Sequence, residues 1–460
     1  MFKRSTLITF LLINFLSMSL FAKDRAQLAH QVIVDHMLLL SLVDSNRLFD
    51  DYYLLLENND TVFQGALKDS IESEVAHYWE SKSIPLKDPH FRQKADPYQR
   101  AVGLEPHLDD FLFLINHIKH FIWLEESYAW PLLSSTRLIK QGDKDPVLNH
   151  IGWRLWLLGD LPDSDMIETQ YTAQLVSAVQ AFQQRHGLEV DGVIGPATLR
   201  WLNVKPRDRA KMLAENYVKK HTFLAVREPQ YIVVNIPGFD MLLVDNGKVM
   251  LDSRVIVGMP SRQTPLFSSE ITNVVINPSW RVPKRIMYRD LLPKIRRNGL
   301  YINQGNYEVY DRDGQRLLRT PSQWSDIAKG AFPYRLVQKP GEKNTLGRYK
   351  FYLPNDFNIY LHDTATPKLF QKANRALSSG CIRVEKVKLL ADWMAEHLVN
   401  DKKTWQRMQM QREESRWFSL KSFLPVHLVY WTSWLDKKGK VQYRSDIYNH
   451  QKAPLLSIAH

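Results

Sequence analysis

The chain has 460 residues, 44% of them hydrophobic and 24% charged, which supplies two to four buried domains and excludes a disordered chain. Its formal charge of +12 is spread along the sequence, with no basic run interleaved with aromatics, which argues against nucleic acid and fits a polyanionic cell-envelope partner. A single cysteine excludes an intramolecular disulfide framework.

Met1-Phe2-Lys3-Arg4 precede an apolar run from about Leu7 to Phe21 and then Ala22-Lys23-Asp24. A positive start, an apolar stretch and a small residue predict an export signal over 1–22. The alternative is an uncleaved inner-membrane anchor, weakened by the polar Thr9, Asn14 and Ser17. No later stretch reads as long and apolar enough to span a membrane.

Residues 23–128 read as a helical scaffold, with apolar runs at 32–40 and 111–118 among polar helix formers. Its histidines (His36, His77, His90, His107, His117, His120) lack metal-ligand spacing. Over 129–204 the punctuation changes. Leu175, Val176, Val179 and Phe182 follow helical spacing, Gly187 stops that helix, and an Asp191-Gly192 turn feeds another. The run AVQAFQQRHGLEVDGVIGPATL resembles a three-helix peptidoglycan-binding module. Residues 160–174 depart from it by lacking the usual Asp-Gly turn, which implies an altered groove.

Residues 205–228 read as a basic helical connector. Strand periodicity then begins, in short β-branched runs at 231–236, 241–244, 254–257 and 272–277. Asp245-Asn246-Gly247-Lys248 is a hairpin signal. The pattern breaks from 283 to 345 into Arg-, Lys- and Tyr-rich pieces, read as a lid inserted in a catalytic domain of 229–400. Val387, Leu390, Ala391, Met394 and Leu398 mark an amphipathic helix. Residues 401–460 read as a helix and hairpin completing that domain. The fold class expected is multidomain α+β with a mostly antiparallel β catalytic domain.

The chemistry centres on Cys381, in Ser378-Ser379-Gly380-Cys381-Ile382-Arg383, and on His362, nineteen positions upstream in Tyr360-Leu361-His362-Asp363. A thiol needs a proton acceptor to become a strong nucleophile, and imidazole is the usual one. Gly380 leaves room for substrate, and the backbone N–H groups of Gly380 and Cys381 are candidate oxyanion donors. The Asp363 carbonyl is a candidate to fix the His362 tautomer. Arg383 is placed to favour thiolate or to grip a substrate carboxylate. On these residues alone, a buried inert cysteine and a core histidine stand as the equal alternative.

The block YLHD…RALSSGCIRVEKVKLLADWM resembles the YkuD-type catalytic domain of L,D-transpeptidases. The likeness extends through VVNIPGF, SRVIVGMPSRQTPLFSS, VVINPSWRVP, NTLGRYKFYLPN and FLPVHLVYWTSW. The arrangement is similar to the YcbB branch, which also has a helical scaffold, a peptidoglycan-binding module and an inserted lid. Ser379 stands where most members of the wider family have a second histidine, as it does in that branch, leaving His362 the sole base.

The resemblance implies Cys381 as acylated nucleophile and His362 as its base, with Tyr360, Ser379, Gly380 and Asp363 lining the site. Arg383, Trp280 and Arg348 are then substrate-binding. It implies 3→3 cross-linking in the periplasm between diaminopimelate-containing tetrapeptide stems, donor and acceptor, without cofactor or metal. It also implies inhibition by carbapenem-type β-lactams and a place among other cell-wall synthesis proteins. The lid cations Lys284, Arg285, Arg289, Lys294, Arg296 and Arg297 would meet stem carboxylates. Alternatives with the same site are an L,D-carboxypeptidase or other hydrolase and a transpeptidase anchoring a lipoprotein to the wall. A non-catalytic wall-binding scaffold is the further alternative.

Overall fold

The computed structural model describes residues 25–44, 47–57 and 65–450, so the segment expected to be the signal lies outside the described residues. The backbone divides into two units. Of the described residues, one takes those up to 186 with 190–227 and 432–444, and the other essentially 228–431 with 445–450.

The first unit is helical. Arg25–Val43 is, by length and composition, apolar enough to cross a membrane, which corrects the expectation that no such stretch follows the N-terminal run. Its Ile33, Met37 and Leu40 recur at helical spacing and are fully buried within the unit, as in a core helix. Three further helices, Val147–Leu157, Ala173–Arg185 and Pro196–Leu202, follow the apolar pattern and its punctuation. The Thr172 hydroxyl caps the second by accepting from Leu175 N, and Pro196 opens the third where its missing N–H costs nothing. The Gln183 amide closes the turn between them, donating to Val193 O and Asp191 Oδ1 and accepting from Gly192 N. Asp160, at the start of the divergent 160–174 segment, is buried and bound by Arg185 Nε at 2.7 Å.

The hairpin of Ser433–Leu435 and Val441–Tyr443 forms as its alternation predicts, but it groups with this helical unit and does not complete the catalytic domain. The reason is where Tyr443 finds apolar cover. Its fully buried ring stacks on His186 at 5.3 Å and lies 5.7 Å from Trp201.

The second unit is built on strands β1 (Gln230–Asn235), β2 (Asp240–Asp245), β3 (Lys248–Gly258), β4 (Ser268–Ile276), β5 (Trp280–Arg281), β6 (Tyr307–Tyr310), β7 (Arg316–Leu317), β8 (Arg335–Gln338), β9 (Tyr349–Tyr352), β10 (Leu361–His362), β11 (Ala376–Ser378), β12 (Ile382–Val384) and β13 (Arg416–Val429). Nine of them form one sheet, in the order β11-β3-β12-β10-β9-β4-β13-β1-β2. A further β2–β3 pairing closes it like a barrel. Most pairs are antiparallel. The parallel ones are β1–β13, β10–β12 and β3–β11. Alternate residues such as Ile232, Val234, Val255, Val257, Phe351, Leu361 and Ile382 fill one core, capped by helix Val387–His397 through Leu390 and Met394.

The insertion has a core of its own. Met287, Ile295, Trp324, Phe332 and Leu336 cluster there, beside a four-stranded sheet ordered β5-β8-β6-β7. Its small sheet starts ahead of the expected 283–345, at Trp280, which pairs with Gln338.

Candidate active site

Period-two alternation places the expected groups on one face. In the parallel β10–β12 pair Leu361 lies opposite Ile382 and His362 opposite Arg383. Leu361 and Ile382 are fully buried in the core. Tyr360, His362, Cys381 and Arg383, one step away along each chain, therefore turn to the other face. Lys350 joins them, since β9 sets it opposite His362. Its ammonium lies 4.0 Å from the centre of the Tyr360 ring.

The loop that carries the thiol is tied down on every side. Gly380 has φ of +120°, which glycine tolerates and side-chain-bearing residues rarely adopt. Its carbonyl accepts from Thr264 Oγ1 at 2.7 Å. Thr264 Oγ1 accepts in turn from Gly258 N at 2.8 Å, and the Tyr448 hydroxyl joins Thr264 N to Gly258 O. Ser378 Oγ donates to Cys381 O at 2.6 Å and accepts from Gly380 N at 3.1 Å. The Gly380 amide is thus already engaged, which makes Cys381 N–H the freer oxyanion candidate on this loop. A Cβ on Gly258 would lie 2.1 Å from Arg262 O and 2.8 Å from Thr264 N, both backbone. Gly258→Ala is expected to displace this brace and slow acylation of Cys381 by about 10²-fold, the scale of a 1 Å misplacement of reacting groups. A rate of reaction with a carbapenem within twofold of the unsubstituted protein, followed by mass spectrometry, would contradict this.

Burial sets the protonation states. The Cys381 thiol is pushed above its ordinary value by burial, against the pull of Tyr360, Lys350 and Arg383. Its Sγ lies 3.7 Å from Asn358 O, and burial favours the neutral form, so the resting group is a thiol. His362, 4% exposed, is lowered to about 3, first by burial and then by the Arg383 charge. Backbone groups of Asp363 and Leu346 pull the other way, yet Nδ1 has no partner in hydrogen-bond geometry. The imidazole is therefore neutral near pH 7 and free to accept a proton. Burial also raises the Tyr360 phenol, which lies between the thiol and the Trp280 indole.

Other expected residues sit elsewhere or act differently. The Arg348 guanidinium binds the carbonyls of Gln409 and Met408. It lines a cavity of about 340 Å³ with Asp363, Thr364 and Arg412, whose lining residues include neither Cys381 nor His362. The Asp363 carboxylate accepts from Arg348 N and Thr364 N, both at 2.7 Å, and so braces the turn after His362. Ser379 Oγ accepts from Arg262 at 2.7 Å. Lys350, Thr264, Tyr448 and Arg262 were not read from sequence. For Lys350 a signal existed, a lysine between the core residues Tyr349 and Phe351. Among the described residues no cluster could hold a metal ion.

A neutral thiol and imidazole share a face with two cations and a phenol, an arrangement suited to acyl transfer. Residues 229–407 match the L,D-transpeptidase catalytic domain, YkuD. Residues 148–202 match a peptidoglycan-binding domain. A protein of Haemophilus influenzae named "Putative L,D-transpeptidase" is 38% identical over 224 residues. That match takes 48% of this chain and 44% of the relative, so the chain spans under half of that curated relative's length. Among solved structures, an L,D-transpeptidase from Stackebrandtia nassauensis shares 14% identity, over 63% of this chain and 94% of that one, with a TM-score of 0.24. The catalytic domain of an E. faecium L,D-transpeptidase acylated by ertapenem shares 14%, over 44% and 98%, with a TM-score of 0.22. The segment similar to YkuD contains Cys381, His362, Tyr360, Arg383, Lys350 and the whole insertion.

Proposed function

We propose that this protein is a periplasmic peptidoglycan L,D-transpeptidase of the YcbB-like branch, forming 3→3 cross-links through a thioester on Cys381. The observation that carries the reading is the single face holding Cys381, His362, Tyr360 and Arg383 in a segment similar to the YkuD domain. The scaffold, the wall-binding module and the inserted lid support the branch. The module supports delivery to peptidoglycan.

His362 takes the thiol proton as Sγ attacks the carbonyl on the L-centre of diaminopimelate in a donor tetrapeptide. The oxyanion of the tetrahedral adduct is met by the Cys381 N–H. When the adduct collapses, the C–N bond breaks and the imidazolium returns its proton to the leaving D-Ala amine, leaving a thioester. The side-chain amine of an acceptor diaminopimelate then attacks. His362 takes the amine's proton and gives it to the departing sulfur, restoring the thiol. Arg383 and Lys350 would hold a donor carboxylate on the cysteine's face. No step needs a cofactor. Carbapenem-type β-lactams would open on the same sulfur.

The test is mass spectrometry of disaccharide-tetrapeptide incubated with the full chain. A dimer accompanied by one D-Ala per cross-link is expected. Tripeptide alone, with or without acceptor, would instead make the protein a carboxypeptidase, and transfer only to a lipoprotein lysine would make it an anchoring enzyme. A donor that leaves Cys381 unmodified and yields no product rejects catalysis.

A further inference from the structure

The six lid cations do not share one environment. Lys284 lines a cavity with Tyr288, Arg312 and Arg335, and Arg296 is tied to Ala328 O. Arg289, Lys294 and Arg297 line a different cavity, of about 440 Å³, with Arg262, Asp290 and Ser379. Its wall is set by a π-helical turn over Met287–Leu291 running into helix Leu292–Arg297. A five-residue repeat through that turn brings Arg289 and Lys294 to one side, and Arg297 follows one turn later.

At the base of this cavity lies Arg262, its side chain 9% exposed. Its two terminal nitrogens grip both Asp290 oxygens, at 2.6 and 2.7 Å, and one also donates to Ser379 Oγ at 2.7 Å. Its Nε is buried with no partner. That hydrogen-bonded ion pair lowers the Asp290 carboxyl below its ordinary value, so Asp290 is ionised. One carboxylate thus faces four cations. Lys294 lies over the Tyr301 ring at 5.3 Å, and Arg297 Nε donates to Pro293 O within its own helix. Like charges gathered in a concave wall repel one another and focus a field that attracts anions.

We propose that this cavity is a carboxylate-binding subsite for a peptidoglycan stem, with Lys294 and Arg297 as its exchangeable cations and Arg262 as its fixed one. This rests on the transpeptidase reading. The position is specific, because Ser379, held by Arg262, stands two residues before the nucleophile. A carboxylate seated here is anchored against the loop that carries the thiol. It is also distinct from the Arg383 and Lys350 charges on the cysteine's own face. Planar guanidinium groups suit a carboxylate better than a neutral sugar. The carboxylate has two sources, a donor or an acceptor stem.

The test is the full-chain variant Lys294→Gln/Arg297→Gln. Both positions are exposed and outside the lid core. Alkylation of Cys381 by iodoacetamide should match the parent, showing an intact site. In one arm, thioester formation is followed against donor tetrapeptide concentration; in the other, thioester consumption is followed against acceptor. The half-saturating concentration should rise by about 10-fold or more in one arm, the scale of a lost charge-assisted hydrogen bond. Stems with amidated carboxylates should show the same weakening with the parent and no further loss with the variant. Saturation within twofold of the parent in both arms overturns the subsite. Absence of any thioester on the parent chain is a different failure, that of the transpeptidase reading.

Discussion

Cys381→Ala is expected to abolish acylation and cross-linking together, a fall of at least about 10³-fold to the floor of the assay, because the proposed acyl-enzyme is a thioester and the variant has no thiol to form it. The cysteine is unique in the sequence, so the variant should take up no carbapenem and no thiol reagent. The fold should persist. Cys381 is half-buried at the margin of the sheet core, and the loop around it is held by Ser378, Thr264 and Gly380 without the sulfur. Losing one sulfur there should cost about 1 kcal/mol, a shift of a few degrees in Tm at most. Cys381→Ser should be inactive too. An alcohol is a far weaker acid than a thiol, and a base as poorly proton-attracting as His362 cannot activate it. Carbapenem adducts retained by Cys381→Ala, or 3→3 dimers formed by it, would move the chemistry elsewhere.

How much of this was legible depended on whether the information was local. The Cys–His pair was readable because each sits in a short, chemically marked run, and the strand alternation around both states which face they share. The register that sets His362 against Arg383 and Lys350 is long-range, so Lys350 was passed over despite its place between two core residues. Arg348 shows the opposite case. An arginine at the start of a strand carries no mark of its acceptors, and those acceptors, at the end of helix Lys402–Gln409, lie sixty residues away. The terminal hairpin was read correctly as a hairpin, because turn residues and alternation are local. Which unit it joins depends on Tyr443 meeting His186, and no window of sequence holds both. The lid was recognised by interruption of the strand pattern. Its Arg262–Asp290 link, by contrast, is a tertiary fact.

The pH profile should carry the signature of a base with depressed basicity. His362 works as acceptor only when neutral. Its value of about 3 lies below the ordinary 6.5, so lowering the pH through 6.5 leaves it competent, and activity falls only as pH approaches 3. The Cys381 thiol, raised by burial, stays protonated through the neutral range. Acylation by a carbapenem should therefore be nearly flat from about pH 5 to 8, with the acid limb well below the position an exposed histidine would give. A base near 3 beside a thiol above its ordinary value also means that the ion pair is unfavourable at rest, at 1.36 kcal/mol per unit of mismatch. After burial, the larger cause of the depression is the Arg383 charge. A substrate carboxylate on Arg383 offsets that charge and raises the basicity of His362 as the donor arrives, so binding and activation are linked. His362→Ala should slow acylation by about 10²-fold or more and erase the acid limb. Arg383→Gln should shift the limb to higher pH while weakening donor saturation. A limb centred near 6.5 in the parent protein would overturn the depressed basicity of His362, and one that stays put in Arg383→Gln would overturn the part given to the Arg383 charge.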